Sequence, residues 1–247
     1  MPTALIVEDE PEANKLLGML IKLRGYRSAS AFNGREALEH LEKATPDVLF
    51  LDLMLPDVDG FSVCRAAKSA KETCLIPVVV VSARIAERNR LDSFHAGADD
   101  FVPKPYMPDQ IFDALKRAEG LREQAGRDRI EGSARFNATA ADDTARKLAR
   151  LRSLILGRTP LGQTDAGRIN GVIERAEAAI ESWSTAHPQA PAPTLDYELD
   201  SDRLVLDCRG IDWFEAPGET LAAEVGCFDE ASVDRSEGRL TLVKRWA

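Results

Sequence analysis

The sequence predicts an α/β fold in two parts: a doubly wound, five-stranded parallel sheet over residues 1–120, a linker over 121–140, and a smaller α+β domain over 141–247. Three observations predict the first part. Short apolar runs alternate with helical repeats five times before residue 120. The runs lack the two-residue alternation of a half-exposed sheet, so both faces are expected to be covered. The runs also end on polar or charged residues, at the carboxyl ends where open α/β sheets bind ligands.

The elements follow in order. Leu5-Ile6-Val7 is a buried strand ending on Glu8-Asp9. The stretch Pro11–Arg24 spaces Ala13, Leu16, Leu17, Leu20 and Leu23 as a helix does, and Gly25 closes it. A strand at Tyr26–Ser30 precedes a helix at Arg35–Lys43. Asp47–Leu51 is an apolar strand that delivers Asp52, and Asp59-Gly60 opens a helix from Phe61 to about Ser69. Pro77–Val81 is the most hydrophobic strand and delivers Ser82. A helix at Ala86–His95 ends at Gly97, Asp100-Phe101-Val102 forms the fifth strand, and a last helix covers Pro108–Ala118.

Beyond Gly120 the pattern changes. Leu121–Gly132 is charged and glycine-punctuated and reads as linker or as an extension of the preceding helix. Asp142–Gly157 is amphipathic, with Ala145, Leu148, Leu151, Leu154 and Ile155 on one face. Asp165 is expected to cap a second helix reaching Trp183, with Ile169, Ile173, Ala176, Ile180 and Trp183 inward. After the proline-rich His187–Pro193 come two strands, Leu195–Leu199 and Arg203–Cys208, joined by the turn residues Asp200-Ser201-Asp202. Gly210–Gly218 reads as irregular, Glu219–Val225 as a short helix and Arg239–Arg245 as a final strand. His187 reads as a loop residue rather than a phospho-acceptor.

Composition narrows the function. The chain has 247 residues, a formal charge of −9, and no apolar run of membrane-spanning length, which points to the cytoplasm and to no membrane partner. Residues 121–247 carry 17 Lys+Arg against 22 Asp+Glu, so a nucleic-acid partner is disfavoured in both halves. A basic cluster at Arg122, Arg127, Arg129, Arg146, Lys147, Arg150 and Arg152 reads as a solvated helix face or, alternatively, a binding patch. The four cysteines have no C-x-x-C spacing and read as small buried hydrophobes.

The strand ends bring Glu8, Asp9, Asp52, Ser82 and Lys104 to one sheet edge. Converging carboxylates repel one another unless a cation offsets them, and carboxylate oxygens suit Mg²⁺. Asp52 would then be a carboxylate nucleophile able to form an aspartyl-phosphate, with Lys104 and Ser82 facing the phosphoryl oxygens.

Residues 3–118 resemble the receiver domain of two-component response regulators, a flavodoxin-like fold. The stretches that carry the resemblance are Val7-Glu8-Asp9-Glu10, Leu51–Gly60, Val81-Ser82-Ala83, Gly97–Phe101 and Pro103-Lys104-Pro105. The resemblance implies that Asp9, Asp52 and the backbone carbonyl of Met54 bind Mg²⁺, with Glu8 acting through water. It implies phosphorylation of Asp52, pairing of the phosphate with Lys104, and movement of Ser82 toward it. Phe101 takes the place of the aromatic switch, and Lys104-Pro105 would be a cis peptide. A cognate histidine kinase or phosphotransfer protein is the implied donor, with a homodimer through the 86–118 face.

The second half resembles, from its element order, the Bergerat-type ATPase fold of histidine kinases and anti-sigma-factor kinases, in degenerate form, the alternative being an unrelated small α/β domain. Glu174 stands where that family has a glutamate, but Ala178 replaces the Asn that helps hold Mg²⁺, and Asp207–Trp213 lacks the second lid glycine. The expected output is therefore a non-catalytic module that binds a downstream regulatory protein. The alternatives are an ATP-dependent protein kinase with a divergent site and a DNA-binding regulator, the latter weakened by the acidic balance.

Overall fold

A computed structural model describes residues 1–84, 86–136, 141–187, 189–210, 225–234 and 236–246. The irregular stretch expected at Gly210–Gly218 and the short helix expected at Glu219–Val225 lie almost entirely outside the described residues. The chain divides into two compact units, Met1–Gly126 and Arg127–Ala247.

In the first unit, strands β1 (Thr3–Val7), β2 (Arg27–Ala31), β3 (Val48–Leu51), β4 (Val78–Ser82) and β5 (Asp100–Pro103) alternate with five helices. The helices are α1 (Pro11–Leu23), α2 (Gly34–Lys43), α3 (Gly60–Ser69), α4 (Glu87–His95) and α5 (Pro108–Ala125). The strands form one parallel sheet in the order β2-β1-β3-β4-β5, as the apolar runs predicted. Every residue of β3 and β4 is buried, which requires helices on both faces. On one face α1 and α5 bring Leu17, Ile21, Ile111 and Leu115 against Ile6, Phe50 and Val81. Tyr26 is enclosed there, and burial together with the bond to Glu119 pushes its phenol up to about 12. The strand order reverses between β1 and β3, which makes their carboxyl ends the crevice of the sheet.

Helix α4 buries only Ser93 and Phe94. A buried ion pair secures the segment that follows it: Lys68 Nζ reaches Asp99 Oδ2 at 2.6 Å and donates to the carbonyls of Cys74 and Ile76. Gly97, at φ +106°, must be glycine for this, because a Cβ would lie 2.7 Å from Lys68 Cγ.

The second unit is a two-layer α+β domain with an antiparallel sheet. Strands β6 (Ile130–Arg135), β7 (Thr194–Leu199), β8 (Arg203–Arg209), β9 (Glu230–Asp234) and β10 (Arg239–Arg245) take the order β6-β7-β8-β10-β9, every neighbouring pair antiparallel. Helices α6 (Ala141–Arg158) and α7 (Gln163–Ala186) follow β6 in the chain. Alternate residues of β7 are buried, so one sheet face is covered and the other open. Leu148, Leu151, Leu154, Ile155, Ile169, Ile173, Ala176 and Ile180 are all buried, in line with the helical spacing.

Three expectations are corrected. The stretch 121–140 is not a linker throughout: α5 continues to Ala125 because Leu121 and Ala125 extend its inward stripe, and β6 adds an edge strand beside β7. Gly132 sits opposite Tyr197, whose ring occupies the space a Cβ would need. Asp165 is not the cap of α7; Gly162 holds that position, and Asp165 lies in the first turn, where a negative charge suits the helix dipole. Trp183 is half-buried and stacks on His187, with ring centroids 4.6 Å apart. Arg239–Arg245 is the final strand, as expected, and pairs with both β8 and the wholly exposed β9.

Candidate active site

The site begins where β1 runs out. Glu8 N–H donates to the carbonyl of Ala31 in β2, and Asp52 N–H donates to the carbonyl of Val7 in β1, so backbone bonds fix both acids to the neighbouring strand. Buried Asn14 reinforces this, donating to the Glu8 carbonyl and accepting from Ser30 Oγ at 2.6 Å. Lys104 follows β5, its N–H donating to the Ser82 carbonyl and its peptide bond to Pro105 being cis.

Side chains converge from these anchors. Lys104 Nζ donates to Glu8 Oε2 at 2.5 Å and to Asp52 Oδ2 at 2.6 Å. The other oxygen of Asp52, Oδ1, accepts the Met54 N–H at 3.0 Å. Glu8 and Asp52 are buried, Asp9 is exposed, and one carboxylate oxygen from each lies within 4.8 Å of the other two. Ser82 is fully buried at the end of β4, and its Oγ accepts the Arg84 N–H at 3.3 Å. Phe101 is half-buried; it pairs with Val80 while Ser82 pairs with Pro103, which puts Phe101 and Ser82 on the same face of adjacent strands. The Met54 side chain points to solvent, and its backbone N–H is what meets Asp52.

Three carboxylates here face one ammonium. Burial pushes the Glu8 carboxyl up against the opposing pull of Lys104, with Asp52 and Asp9 adding repulsion. Burial alone would lower Lys104, but the hydrogen bonds and charges of Asp52 and Glu8 outweigh it and raise its pKa. Both shifts favour the protonated form, so the site gains by taking up positive charge. An all-oxygen donor set with surplus negative charge fits a hard divalent cation such as Mg²⁺.

Two residues that support this edge were not singled out as site residues from the sequence. Gly60, read only as a helix start, packs so closely that a Cβ would lie 2.5 Å from both the Asp52 carbonyl oxygen and Leu53 Cα. Asp57 accepts N–H groups of Gly34 and Arg35 at the start of α2. The Asp-Gly dipeptide was a visible turn signal for the first; nothing local marks the partners of the second.

In the second unit the residues compared with a nucleotide site are on the outside. Glu174 and Ala178 are both exposed on α7, and residues 211–213 of the lid position lie outside the described residues. The basic cluster is largely neutralised where it stands. Arg122 pairs with Asp47, Arg129 with Glu131 and Glu198, Arg146 and Lys147 with Asp143, and Arg152 with Glu177, while Arg150 is buried. No helix among the described residues is long and apolar enough to cross a membrane.

Known proteins resemble this chain in sequence. The response regulator receiver domain family matches residues 4–116. Response regulator MprA of Mycobacterium ulcerans is 30% identical over 239 residues, covering 96% of this chain and 91% of MprA. Transcriptional regulatory protein BaeR of Escherichia coli is 37% identical over 115 residues, a match spanning 47% of each protein. The match to transcriptional regulatory protein ResD of Bacillus subtilis likewise spans only 43% of that protein. The solved receiver domain of Francisella response regulator 1452 is 26% identical, with a TM-score of 0.45, covering 50% of this chain and 98% of that one.

Proposed function

The chain belongs to the response regulators, and from that premise we propose that Mg²⁺-dependent phosphorylation of Asp52 switches residues 127–247 as a protein-binding output. The observation that carries the acceptor assignment is the buried Asp52 carboxylate, clamped by Lys104 at 2.6 Å and flanked by Glu8 and Asp9.

In the transfer, an Asp52 oxygen attacks the phosphorus of a phosphohistidine on the donor kinase or phosphotransfer protein. The new P–O bond forms as the P–N bond breaks, and the electron pair leaves with the imidazole nitrogen. Lys104 turns its ammonium from Asp52 to a phosphoryl oxygen, and the Met54 N–H keeps the carboxylate oriented. Glu8, Asp9, Asp52 and the Met54 carbonyl would hold Mg²⁺. Bound there, Mg²⁺ offsets the charge that the carboxylates and phosphoryl oxygens bring together.

The product carries roughly −1.5 to −2 additional charge and three acceptor oxygens. Ser82 exchanges its contact with the Arg84 N–H for one of those oxygens, vacating space on the face that Phe101 shares. The elements then biased are α4, β5 and α5, and the sparse core contact of α4 makes it the cheapest to shift. A homodimer through this 86–118 face is one form the response takes.

A protein partner for the output is favoured by the basic cluster, whose members are largely paired or buried within their own unit. A DNA-binding output is the second reading. It is favoured by relatives such as the DNA-binding dual master transcriptional regulator RpaA of Synechocystis, 33% identical over 137 residues. A salt-dependent mobility shift of duplex DNA by the phosphorylated chain would move that reading ahead.

The acceptor assignment is tested by labelling with acetyl phosphate and Mg²⁺. Asp52→Ala is expected to abolish the acid-stable, base-labile label, and equal labelling of the variant would overturn the assignment.

A further inference from the structure

The loop from Leu53 to Asp59 joins β3 to α3 and carries Met54, whose N–H orients Asp52. A loop that sets the geometry of a charged site must itself be held, and its two halves are held differently. At its end, Gly60 N–H donates to the Leu53 carbonyl at 3.2 Å, folding the loop back on its own start. In its middle, Asp57 leaves the loop and reaches another element. Asp57 Oδ1 accepts the Gly34 N–H at 2.8 Å and the Val58 N–H at 2.8 Å, and Oδ2 accepts the Arg35 N–H at 3.0 Å.

Gly34 and Arg35 are the first two residues of α2, whose opening N–H groups have no partner inside the helix. Asn33 satisfies Glu36 N–H from within the local chain, so the carboxylate of Asp57 supplies the remaining acceptors from 22 or 23 residues away. These bonds hold Asp57 below the ordinary carboxylate range, outweighing the upward push of desolvation. The approach is close: a Cβ on Gly34 would lie 2.7 Å from Val58 Cβ and 3.4 Å from Asp57 Oδ1. A glycine on the helix and a carboxylate on the loop are therefore matched. Helix α2 is tied in turn to the acidic pair, because β2, which precedes it, accepts the Glu8 N–H through Ala31.

We propose that Asp57 is a positioning residue for the acidic site, clamping the loop that carries Met54 to the N-terminus of α2 so that the Met54 carbonyl and Asp52 stay set to receive a divalent cation. The proposal rests on the reading of Glu8, Asp9 and Asp52 as the cation site. A plain helix cap would do no more than stabilise α2; a positioning residue also sets how tightly the cation is held, as residues behind a metal's direct ligands do.

The test is calorimetric titration of Mg²⁺ into the full-length chain, with thermal unfolding followed in parallel. Asp57→Ala is expected to weaken Mg²⁺ binding about ten-fold. Its labelling rate with acetyl phosphate should fall at limiting Mg²⁺ and recover at saturating Mg²⁺. Asp57→Asn, which keeps one acceptor oxygen, should recover part of the affinity. Gly34→Ala, whose Cβ presses on Val58 and comes against Asp57 Oδ1 while leaving every carboxylate in the sequence, should weaken Mg²⁺ binding in the same direction; should Asp57→Ala not fold, this variant and Asp57→Asn decide the matter. An unchanged Mg²⁺ affinity in the folded variants overturns the proposal and leaves Asp57 a helix cap. Absence of Mg²⁺ binding by the unaltered chain overturns the underlying site reading instead.

Discussion

In the parallel sheet, Glu8, Asp9 and Asp52 gather at one edge with the ammonium of Lys104. In the antiparallel sheet, like charges also face each other, Glu131 opposite Glu198 and Asp196 opposite Asp207. There, however, each pair is met by guanidinium groups. Arg129 bridges Glu131 and Glu198, and Asp207 receives Arg239 through both oxygens and Arg209 at 2.6 Å. Cross-strand like charges are destabilising on their own, so the second sheet has solved internally a problem that the first has left open. Under the proposed reading that surplus of carboxylates suits the first unit to a cation, whereas in the second sheet, among the described residues, arginines meet each facing pair.

The sharpest test of that contrast removes the Lys104 ammonium. Lys104→Ala should slow phosphorylation by acetyl phosphate about 100-fold or more, since a preorganised positive charge at the phosphoryl oxygens is lost. A change below about three-fold would mean that the charge deficit, not Lys104, governs the chemistry.

A second test concerns packing. Gly60→Ala forces a Cβ against backbone atoms of Asp52 and Leu53, which have no rotamer to escape into, and should cost about 3 kcal/mol in urea unfolding. Retained wild-type stability would show that the loop has slack that the geometry denies it.

The smallest effect is expected in the second sheet. Asp207→Ala should cost about 1–2 kcal/mol, discounted because Arg209 and Arg239 are half-exposed. All three tryptophans lie beyond residue 126, so their fluorescence reports this unit separately in the intact chain. Desolvation pushes Asp207 upward, but Arg209 and Arg239 outweigh it and hold its carboxyl below the usual range. A lowered folded-state pKa means the stabilisation is full above about pH 4, the value in unfolded chains, and is lost as pH falls through the folded value. The difference between wild type and variant should therefore be constant near neutrality and shrink in acid. A constant difference down to the lowest pH at which the unit folds would mean the arginines do not act through charge.

The parallel sheet was legible because its strands are nearly unbroken apolar runs, and the carboxyl-end residues stand out against them. The second sheet was legible only in its middle. In β7, buried and half-buried residues alternate cleanly, but β6 carries a glycine and three exposed polar side chains, and its place depends on Tyr197 filling the space over Gly132. β9 is exposed at every position and shows no periodicity to read. The support behind the site was hidden for a related reason. Asp57 sits among turn residues, and the bonds it makes to Gly34 and Arg35 span a separation that no local pattern encodes. Sequence periodicity reveals what an element buries beneath itself; it says little about what a loop reaches across to hold.

Both units enclose thiols, Cys64 in α3 and Cys74 in the first and Cys208 in β8 of the second, and burial pushes Cys64 and Cys208 up to about 12. At neutral pH neither offers a reactive thiolate while its surroundings stay closed. Alkylation must therefore wait for each core to open, and the two labelling rates count those openings independently. The protein thus carries a separate clock in each half. Whether phosphorylation at Asp52 slows one clock or both would measure how far the signal spreads through the chain.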